Sequence, residues 1–339
     1  MSPEQQEKPE RREPLGAQES LGAREPLAFV KHTKRGDKAY ALPVVPAPLF
    51  DTHGHLTCFW SKDPAEVLVR AGRAGVRRLV TLFDPIADEM SLEEFRRRLA
   101  EWRARATVQA AEAGMPARGL PDVSYLAGVH PYGAPVFSDG ALSVVERALA
   151  DPLCAGVGEV GLDYHFDADD NIEAAPHDVQ IACFERQLAL ACARNVPVEL
   201  HVRNDGADEA RAAHADAYRV LSEVGIPAAG CVLHCFTEDR ATMERFVELG
   251  CRIAFGGAAT FKRNTDIREA FAACPLDRIL FETDCPYMAP EPLRGIECEP
   301  ALIVFTATAL AQDRSERTGE EPAAIMRAAW ENATALFSG

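Results

Sequence analysis

Histidines and carboxylates follow several short apolar runs along this chain, and these residue types are typical of a divalent metal site. The candidates, in chain order, are His53, His55, His130, Glu159, His201, His234 and Asp284, and the cationic Arg203 follows the same run as His201. Neutral imidazoles and carboxylates suit zinc or manganese, and carboxylates also accept magnesium. One residue separates His53 from His55, so on an extended strand both side chains point the same way. The two imidazoles could then bind one ion.

The elements that position these residues have the pattern of alternating strands and helices. Eight apolar runs read as buried strands, at 49–51, 78–83, 124–129, 154–158, 196–200, 230–233, 251–255 and 278–281. Stretches such as 178–194 and 240–249 between them have helical periodicity. This alternation predicts a parallel sheet and an α/β fold, and eight units fit a single-domain TIM (β/α)8 barrel. A doubly wound open sheet is the rival, but no GxGxxG follows the first strand.

A barrel would bring the candidate residues together although they lie far apart in sequence. All strands of a (β/α)8 barrel end on one face, where catalytic groups collect. Five of the chain's nine histidines lie at the predicted strand ends, and we expect them to share one pocket. His32, His165, His177 and His214 lie in polar segments and are expected at the surface.

Two segments lie outside this repeating pattern. Residues 1–47 are rich in Pro, Glu, Arg and Lys, which predicts a flexible or loosely packed extension before a barrel domain at 48–339. The part from 29 to 48 could pack on the barrel. The second loop, 85–121, is long and contains a charged helix near 91–113, which is either a surface helix or a substrate lid.

Composition narrows the class of protein. The chain has 339 residues, of which 47% are hydrophobic, and a formal net charge of −16. That charge excludes a protein that holds nucleic acid by overall positive charge, but not one that reaches a phosphodiester through metal ions. The ten cysteines form no CxxC pair and are expected to be reduced thiols. With no signal-like or membrane-spanning segment in the sequence, we expect a cytoplasmic protein with no stable protein partner evident.

Six short motifs resemble those of the TatD family of metal-dependent hydrolases, in the family's order. They are 51-DTHGHL-56, 158-GEVGLDY-164, 197-PVELHVR-203, 233-LHCFT-237, 255-FGGAATFK-262 and 282-ETDCPYMAPEPLRG-295. The resemblance runs from about residue 49 to the C-terminus. It implies a TIM barrel of the amidohydrolase type and a DNase activity, with DNA as the substrate.

The resemblance also implies a site with two divalent ions, magnesium, manganese or zinc. Its motifs place the metal ligands at His53, His55, Glu159, His201, His234 and Asp284. Glu159 would bridge the ions, and Asp284 would orient or deprotonate a metal-activated water that attacks phosphorus. Arg203 and His130 would steady the developing charge, although Arg203 could instead pair with a carboxylate. Lys262, Arg263 and Arg294 are candidates for a local basic rim that contacts the substrate.

One residue departs from the family pattern, and other functions stay open. The family usually has Asn-Glu-Pro where this chain has Cys298, Glu299 and Pro300. The change leaves the metal ligands in place but affects the expected substrate geometry, or Glu299 and Pro300 simply start the next helix. The alternative function is a metal-dependent hydrolase of a small phosphoester, lactone or amide, which the net charge favours. A non-enzymatic binding barrel would not require all six ligands.

Overall fold

The computed structural model describes residues 27–165, 174–206 and 208–337. An antiparallel hairpin, β1 and β2, precedes eight strands that run parallel to one another in chain order, β3 to β10. The ten strands are β1 Ala28–Thr33, β2 Gly36–Ala41, β3 Leu49–Asp51, β4 Val76–Phe83, β5 Asp122–Ala127, β6 Cys154–Asp163, β7 Val198–Arg203, β8 Cys231–Leu233, β9 Arg252–Phe255 and β10 Ile279–Phe281.

The sheet closes on itself, which confirms the predicted TIM barrel. The Thr52 amide donates to the Phe281 carbonyl over 3.2 Å, and Gly54 forms a parallel bridge with Cys285. These contacts join the residues that follow β3 to β10 itself and to the residues that follow β10. The ends of all eight strands therefore face one common mouth.

Helices follow each barrel strand, and one more closes the chain. They are α1 Pro64–Arg73, α2 Leu92–Glu112, α3 Asp139–Ala148, α4 His177–Arg194, α5 Ala212–Val224, α6 Arg240–Glu248, α7 Thr265–Ala273, α8 Ile303–Thr318 and α9 Pro322–Phe337. Several begin at a side-chain cap, as where Ser91 accepts from the Glu94 amide and Asp239 from the Thr242 amide. The helix of the long second loop is α2, which buries Phe95 and Leu99 and is therefore the barrel's second outer helix.

Strand β6 extends five residues beyond its predicted end at residue 158. Its glycines suggest a strand end, but they serve close packing inside the sheet. A Cβ atom at Gly161, whose φ is +142°, would lie 2.1 Å from the carbonyl oxygen of His201 on β7. Glycine therefore permits the β6–β7 pairing, and Glu159 lies within the strand instead of after it.

The barrel interior is filled by a small apolar cluster below the mouth. Phe50, Val80, Leu126 and Leu280 belong to it, and Phe337 at the end of α9 packs against the same cluster. A larger cluster lies between the strands and the outer helices. This packing fills the lower half of the barrel and leaves the polar side chains at the strand ends facing the mouth.

The segment before β3 contacts the barrel. Phe29 of β1 and Val45 are buried and belong to the main core cluster. Residues 1–26 of the predicted extension lie outside the described residues. Within the described ranges, no helix is long and apolar enough to cross a bilayer. All ten cysteines are unpaired.

Candidate metal centre

The six side chains that the sequence singled out as ligands converge at the mouth of the barrel. They come from five strands or the residues directly after them: His53 and His55 after β3, Glu159 in β6, His201 in β7, His234 after β8 and Asp284 after β10. None of the six side chains is more than 19% exposed. Polar groups buried so deeply need partners, and here they are mainly one another.

One half of the cluster contains the two histidines of the first motif and the last aspartate. The Nε2 atoms of His53 and His55 lie 3.0 Å apart. Asp284 Oδ1 is 3.7 Å from His53 Nε2 and 3.5 Å from His55 Nε2. One oxygen and two nitrogens with lone pairs therefore face a common point, as ligands of a divalent ion do.

The other half contains His201 and His234, and Glu159 lies between the halves. Glu159 Oε2 is 3.2 Å from His201 Nδ1 and 3.0 Å from His234 Nε2. Its other oxygen, Oε1, faces the first half, 3.5 Å from His55 Nε2 and 3.9 Å from His53 Nε2. The two oxygens of one carboxylate thus face two different groups of donors.

Three of these histidines have a second carboxylate on the ring nitrogen that faces away from the centre. His53 Nδ1 is 2.6 Å from Glu199 Oε1, and His201 Nε2 is 3.0 Å from Asp163 Oδ2. His234 Nδ1 lies 3.8 Å from Glu282 Oε1, which is too far for a hydrogen bond. Hydrogen-bonded carboxylates such as Glu199 and Asp163 orient metal-binding imidazoles and fix their tautomers. The donor set and its outer partners therefore fit a divalent metal centre.

These outer carboxylates were given no role from the sequence, although a signal for them exists. Asp163 is four residues after Glu159 on β6, and Glu199 is two residues before His201 on β7. Residues separated by an even number on a strand point to the same face. An acidic residue inside an apolar strand run, two or four positions from a candidate ligand, therefore points to a partner of that ligand.

The close packing of charges shifts the pKa values in the cluster. Burial raises the pKa of Glu159, but the imidazoles of His130, His201 and His234 outweigh burial and hold it well below the ordinary value. Burial, assisted by the nearby His234, lowers the pKa of His53 to about 3. Burial lowers the pKa of His55, His201 and His234, but hydrogen bonds to the neighbouring carboxylates outweigh burial and raise it above the ordinary value. A cation that binds the ionised Glu159 would therefore displace protons from these rings.

His130, expected to act in catalysis, lies beside this cluster. Its ring centroid is 4.4 Å from that of His201, and its backbone amide donates to Asp84 Oδ2 over 2.9 Å. Together with Asp163 and His201 it forms a further group of potential ligand atoms within 4.8 Å of one another. Burial, followed by the charge of His201, lowers the pKa of His130 to about 3. A neutral His130 could therefore accept a proton or bind an ion.

The basic residues expected at the rim are all exposed. Arg203 ends β7, and its guanidinium contacts the Tyr132 hydroxyl. The guanidinium of Arg294 lies 4.2 Å from the ring centre of Phe261, which neighbours the exposed Lys262. These side chains form a partial basic border around an otherwise acidic centre.

Cys298, the residue that departs from the family pattern, and its neighbour Glu299 are structural in this fold. Cys298 is fully buried, and its amide donates to the Pro286 carbonyl over 2.8 Å. Glu299, also fully buried, accepts from Lys62 Nζ at 2.6 Å and Arg70 Nε at 2.7 Å. Glu299 thus ties the start of α8 to α1 and does not reach the metal centre.

His214 corrects one expectation from the sequence. It was expected at the surface but is only 5% exposed, on the inner side of α5. The amide of Asn204 donates to its Nδ1 over 2.8 Å. The orientation of α5 determines the exposure of His214. The polar residues around His214 in the sequence therefore did not predict it.

A closed barrel with a histidine and carboxylate centre at its mouth defines a class of metal-dependent hydrolases, and comparison with known proteins identifies the family. A family model described as "TatD related DNase" matches residues 50–338. The chain belongs to the TatD family and is a metal-dependent hydrolase. The metal-dependent hydrolase YabD of Bacillus subtilis is 32% identical over 292 residues, covering 85% of this chain and 98% of YabD.

Two further relatives extend the comparison to structure and to activity. The crystal structure of the TatD homologue YJJV from Escherichia coli K12 matches with a TM-score of 0.65 and 27% identity, covering 86% of this chain and 98% of YJJV. A protein of Pantoea vagans named "3'-5' ssDNA/RNA exonuclease TatD" is 33% identical over 199 residues. That match covers 57% of this chain and 71% of the Pantoea protein.

Proposed function

We propose that this chain is a divalent-metal-dependent nuclease that hydrolyses phosphodiester bonds of single-stranded DNA from an end. The observation that carries the proposal is the position of Glu159, whose two oxygens face two separate groups of donors. A carboxylate in this position suits a pair of ions. A two-ion centre stabilises both the attacking and the leaving oxygens of a displacement at phosphorus.

The proposed roles follow the two halves of the cluster. His53, His55 and Asp284 would hold one ion, and His201 and His234 the other, with Glu159 shared between them. When bound, the ions lower the pKa of a water and stabilise charge at the phosphorus. The Asp284 carboxylate has a second oxygen that can orient or deprotonate the attacking water.

The rim supports a phosphate substrate. Arg203 offers a planar, always charged group at the end of β7, and the exposed Lys262 and Arg294 provide two further positive charges after β9 and β10. His130, held by Asp84 and next to His201, is neutral and could donate a hydrogen bond that steadies the charge on the leaving oxygen. The name of the Pantoea vagans relative, a 3'-5' ssDNA/RNA exonuclease, supports the same substrate class and an exonuclease direction.

The second candidate, a hydrolase of a small phosphoester, lactone or amide, would use the same centre. The net charge of −16 favours it, since a long polyanion is repelled by most of this surface. The two functions differ in what the rim must recognise. A nuclease must prefer an oligonucleotide over a generic small diester.

The test compares these substrates with the metal-reconstituted chain. The substrates are single- and double-stranded oligonucleotides labelled at either end, bis(p-nitrophenyl) phosphate, and a lactone. We expect stepwise shortening of the single strand that needs added Mn²⁺, Mg²⁺ or Zn²⁺ and stops with chelator. The Asp284→Asn variant should lose activity, and the matched variant Glu331→Gln, an exposed acid on α9, should keep it. Hydrolysis of the lactone alone would favour the second candidate, and full activity without metal would exclude both.

A further inference from the structure

We propose that the β1–β2 hairpin and the aromatic pair Trp60 and Tyr287 form a binding track that leads single-stranded DNA away from the metal centre. The inference rests on the proposed nuclease function and specifies where the rest of the strand is held. The hairpin, residues 28–41, lies before the residues that match the family model, which begin at 50. It is therefore a feature of this chain and not of the family's shared barrel.

The hairpin carries a local positive charge on a strongly acidic protein. Its residues include Lys31, Lys34, Arg35 and Lys38 against a single acid, Asp37. Lys34, Arg35 and Lys38 are exposed. Asp37 lies 2.7 Å from His32 and offsets one of the four positive charges, which leaves the hairpin with a net charge of +3. The overall charge is −16, so this cluster stands out as a place that attracts a polyanion.

The register of the hairpin places two lysines directly opposite each other. Lys31 of β1 pairs with Lys38 of β2, on the same face as the pair Phe29 and Tyr40. Like charges in direct cross-strand pairs destabilise a sheet. Lys31 is held by the Pro292 carbonyl, and a phosphate bound at the exposed Lys38 would offset the repulsion between the two.

The hairpin is anchored to the rim of the mouth by its base. Phe29 is 8% exposed, and Lys62 Nζ lies 5.8 Å from its ring centre. Lys31 Nζ donates to the carbonyl of Pro292 over 3.1 Å. Pro292 is two residues before Arg294 of the basic rim. A two-stranded hairpin is only marginally stable alone, so these contacts fix its position beside the site.

Two exposed aromatic side chains connect this anchor to the metal centre. The Tyr287 ring is 6.0 Å from that of His55 and 6.3 Å from that of Trp60. Trp60 is 63% exposed and Tyr287 50% exposed, although side chains of this size are usually well buried. Exposed aromatic rings beside a cationic surface are typical of single-strand binding, because every base can stack on them.

The contacts join in one continuous series. It runs from His55 to Tyr287, from Tyr287 to Trp60, and along the chain from Trp60 to Lys62, which contacts Phe29 at the base of the hairpin. Lys62 itself pairs with Glu299 at 2.6 Å. The positive charges available to a phosphate at the end of the series farthest from the metal centre are therefore those of the hairpin. Bases would stack near the centre, and phosphates would pair farther out.

The first test measures binding separately from turnover. Fluorescence anisotropy follows a fluorescein-labelled, phosphorothioate-linked thymidine 20-mer, which keeps every backbone charge and resists hydrolysis, on the metal-reconstituted full chain. The variant Lys34→Gln/Lys38→Gln should bind at least ~10-fold more weakly at low salt. Its slope of log affinity against log salt should fall by about 1.4, since each phosphate contact to a single strand contributes about 0.7.

Matched variants control for charge and for folding. Arg103→Gln/Arg327→Gln removes the same charge from the outer helices and should bind like the wild type. Lys34→Arg/Lys38→Arg should restore the affinity. Melting temperatures of all three double variants should agree within a few degrees, because the substituted side chains are exposed or half-exposed.

The second test concerns the aromatic pair. Trp60→Ala should weaken binding of both the 20-mer and a 4-mer by about 5- to 100-fold, the range expected for loss of one stacked base, and Trp60→Phe should recover most of it. The hairpin variant should affect the 20-mer far more than the 4-mer, because a strand of four nucleotides held at the aromatic pair has few phosphates left for the hairpin.

Two outcomes separate the track from the proposed function. If the 20-mer binds as expected but is not cleaved, the track stands and the nuclease proposal fails. If the hairpin variant binds the 20-mer with the wild-type affinity and salt slope, or the wild type does not bind it at all, the track is overturned whatever the turnover.

Discussion

Glu199 Oε1 lies 2.6 Å from Nδ1 of His53, and both side chains are completely buried. The acceptor at Nδ1 leaves the lone pair of His53 Nε2 directed toward His55, Asp284 and Glu159. The pair therefore sets which nitrogen of His53 is available to an ion. Glu199 acts through His53 and is a positioning residue.

Replacement of Glu199 should weaken metal binding in a graded way. Burial raises the pKa of Glu199 to about 8. For orienting His53, the hydrogen bond that Glu199 accepts therefore matters at least as much as its negative charge. Glu199→Gln keeps an acceptor and should lose only a few-fold in metal affinity. Glu199→Leu has similar volume without an acceptor and should lose about 10- to 100-fold, as outer partners of metal ligands typically do. Competition titration with a chromophoric chelator measures both, and equal affinities would remove the positioning role.

Glu159→Gln tests the shared carboxylate. The amide removes one negative charge and one strong oxygen ligand from both halves of the cluster, and two cations held close together repel once that anion is lost. We expect fewer than two ions per chain and a fall in turnover of at least ~100-fold. Metal analysis of the purified variant beside Glu331→Gln provides the comparison. Wild-type metal content with reduced melting temperature would instead make Glu159 a structural carboxylate.

Removal of metal should destabilise the fold without unfolding it. The mouth concentrates the carboxylates of Glu159, Asp163 and Asp284. A bound cation stabilises the native state by an amount that grows with the logarithm of its concentration over its dissociation constant. Chelator should therefore lower the melting temperature, and added ions should restore it. The shift should be smaller in Glu159→Gln. A melting temperature that is independent of metal in the wild type would argue that no ion occupies the cluster.

Gly161→Ala should disturb the centre from a distance. Its Cβ would lie 2.1 Å from the His201 carbonyl oxygen, and a φ of +142° is unfavourable for alanine. Strands β6 and β7 would have to separate there, and His201 would move with the backbone. Overpacking of this kind costs about 1–3 kcal/mol. Denaturant melts and metal titration should both show a loss, whereas Gly206→Ala, with open space around it, should show neither.

His214 should make the stability depend on pH. Burial, followed by the charge of Arg211, lowers the pKa of His214 to about 3. Between that value and about 6.5 the unfolded chain binds the proton and the folded chain does not. Stability from this residue is therefore complete above pH 6.5 and is lost as the pH falls, by about 1.4 kcal/mol per pH unit. His214→Gln should flatten the dependence of unfolding free energy on pH between 6 and 4, relative to the exposed-site variant His32→Gln.

The barrel and the gathering of the candidate ligands were predictable from the sequence. The alternation of apolar runs and amphipathic helices has the period of a parallel sheet, and its eight repeats match the eight barrel strands. Because parallel strands end on one face, ligands such as His53 and Asp284, 231 positions apart in the chain, were expected in one pocket. Local pattern and chain order suffice for such a conclusion.

The partners of the ligands were decided only in three dimensions. That Glu159 Oε1 faces one half of the cluster and Oε2 the other depends on the register of β6 against β7 and on side-chain orientation. The burial of His214 and the anchoring of Lys31 at Pro292 depend on the same kind of long-range packing. Residue types and spacing specify which groups meet at the mouth. The distances and orientations between them arise from contacts between residues far apart in the chain, which no local pattern contains.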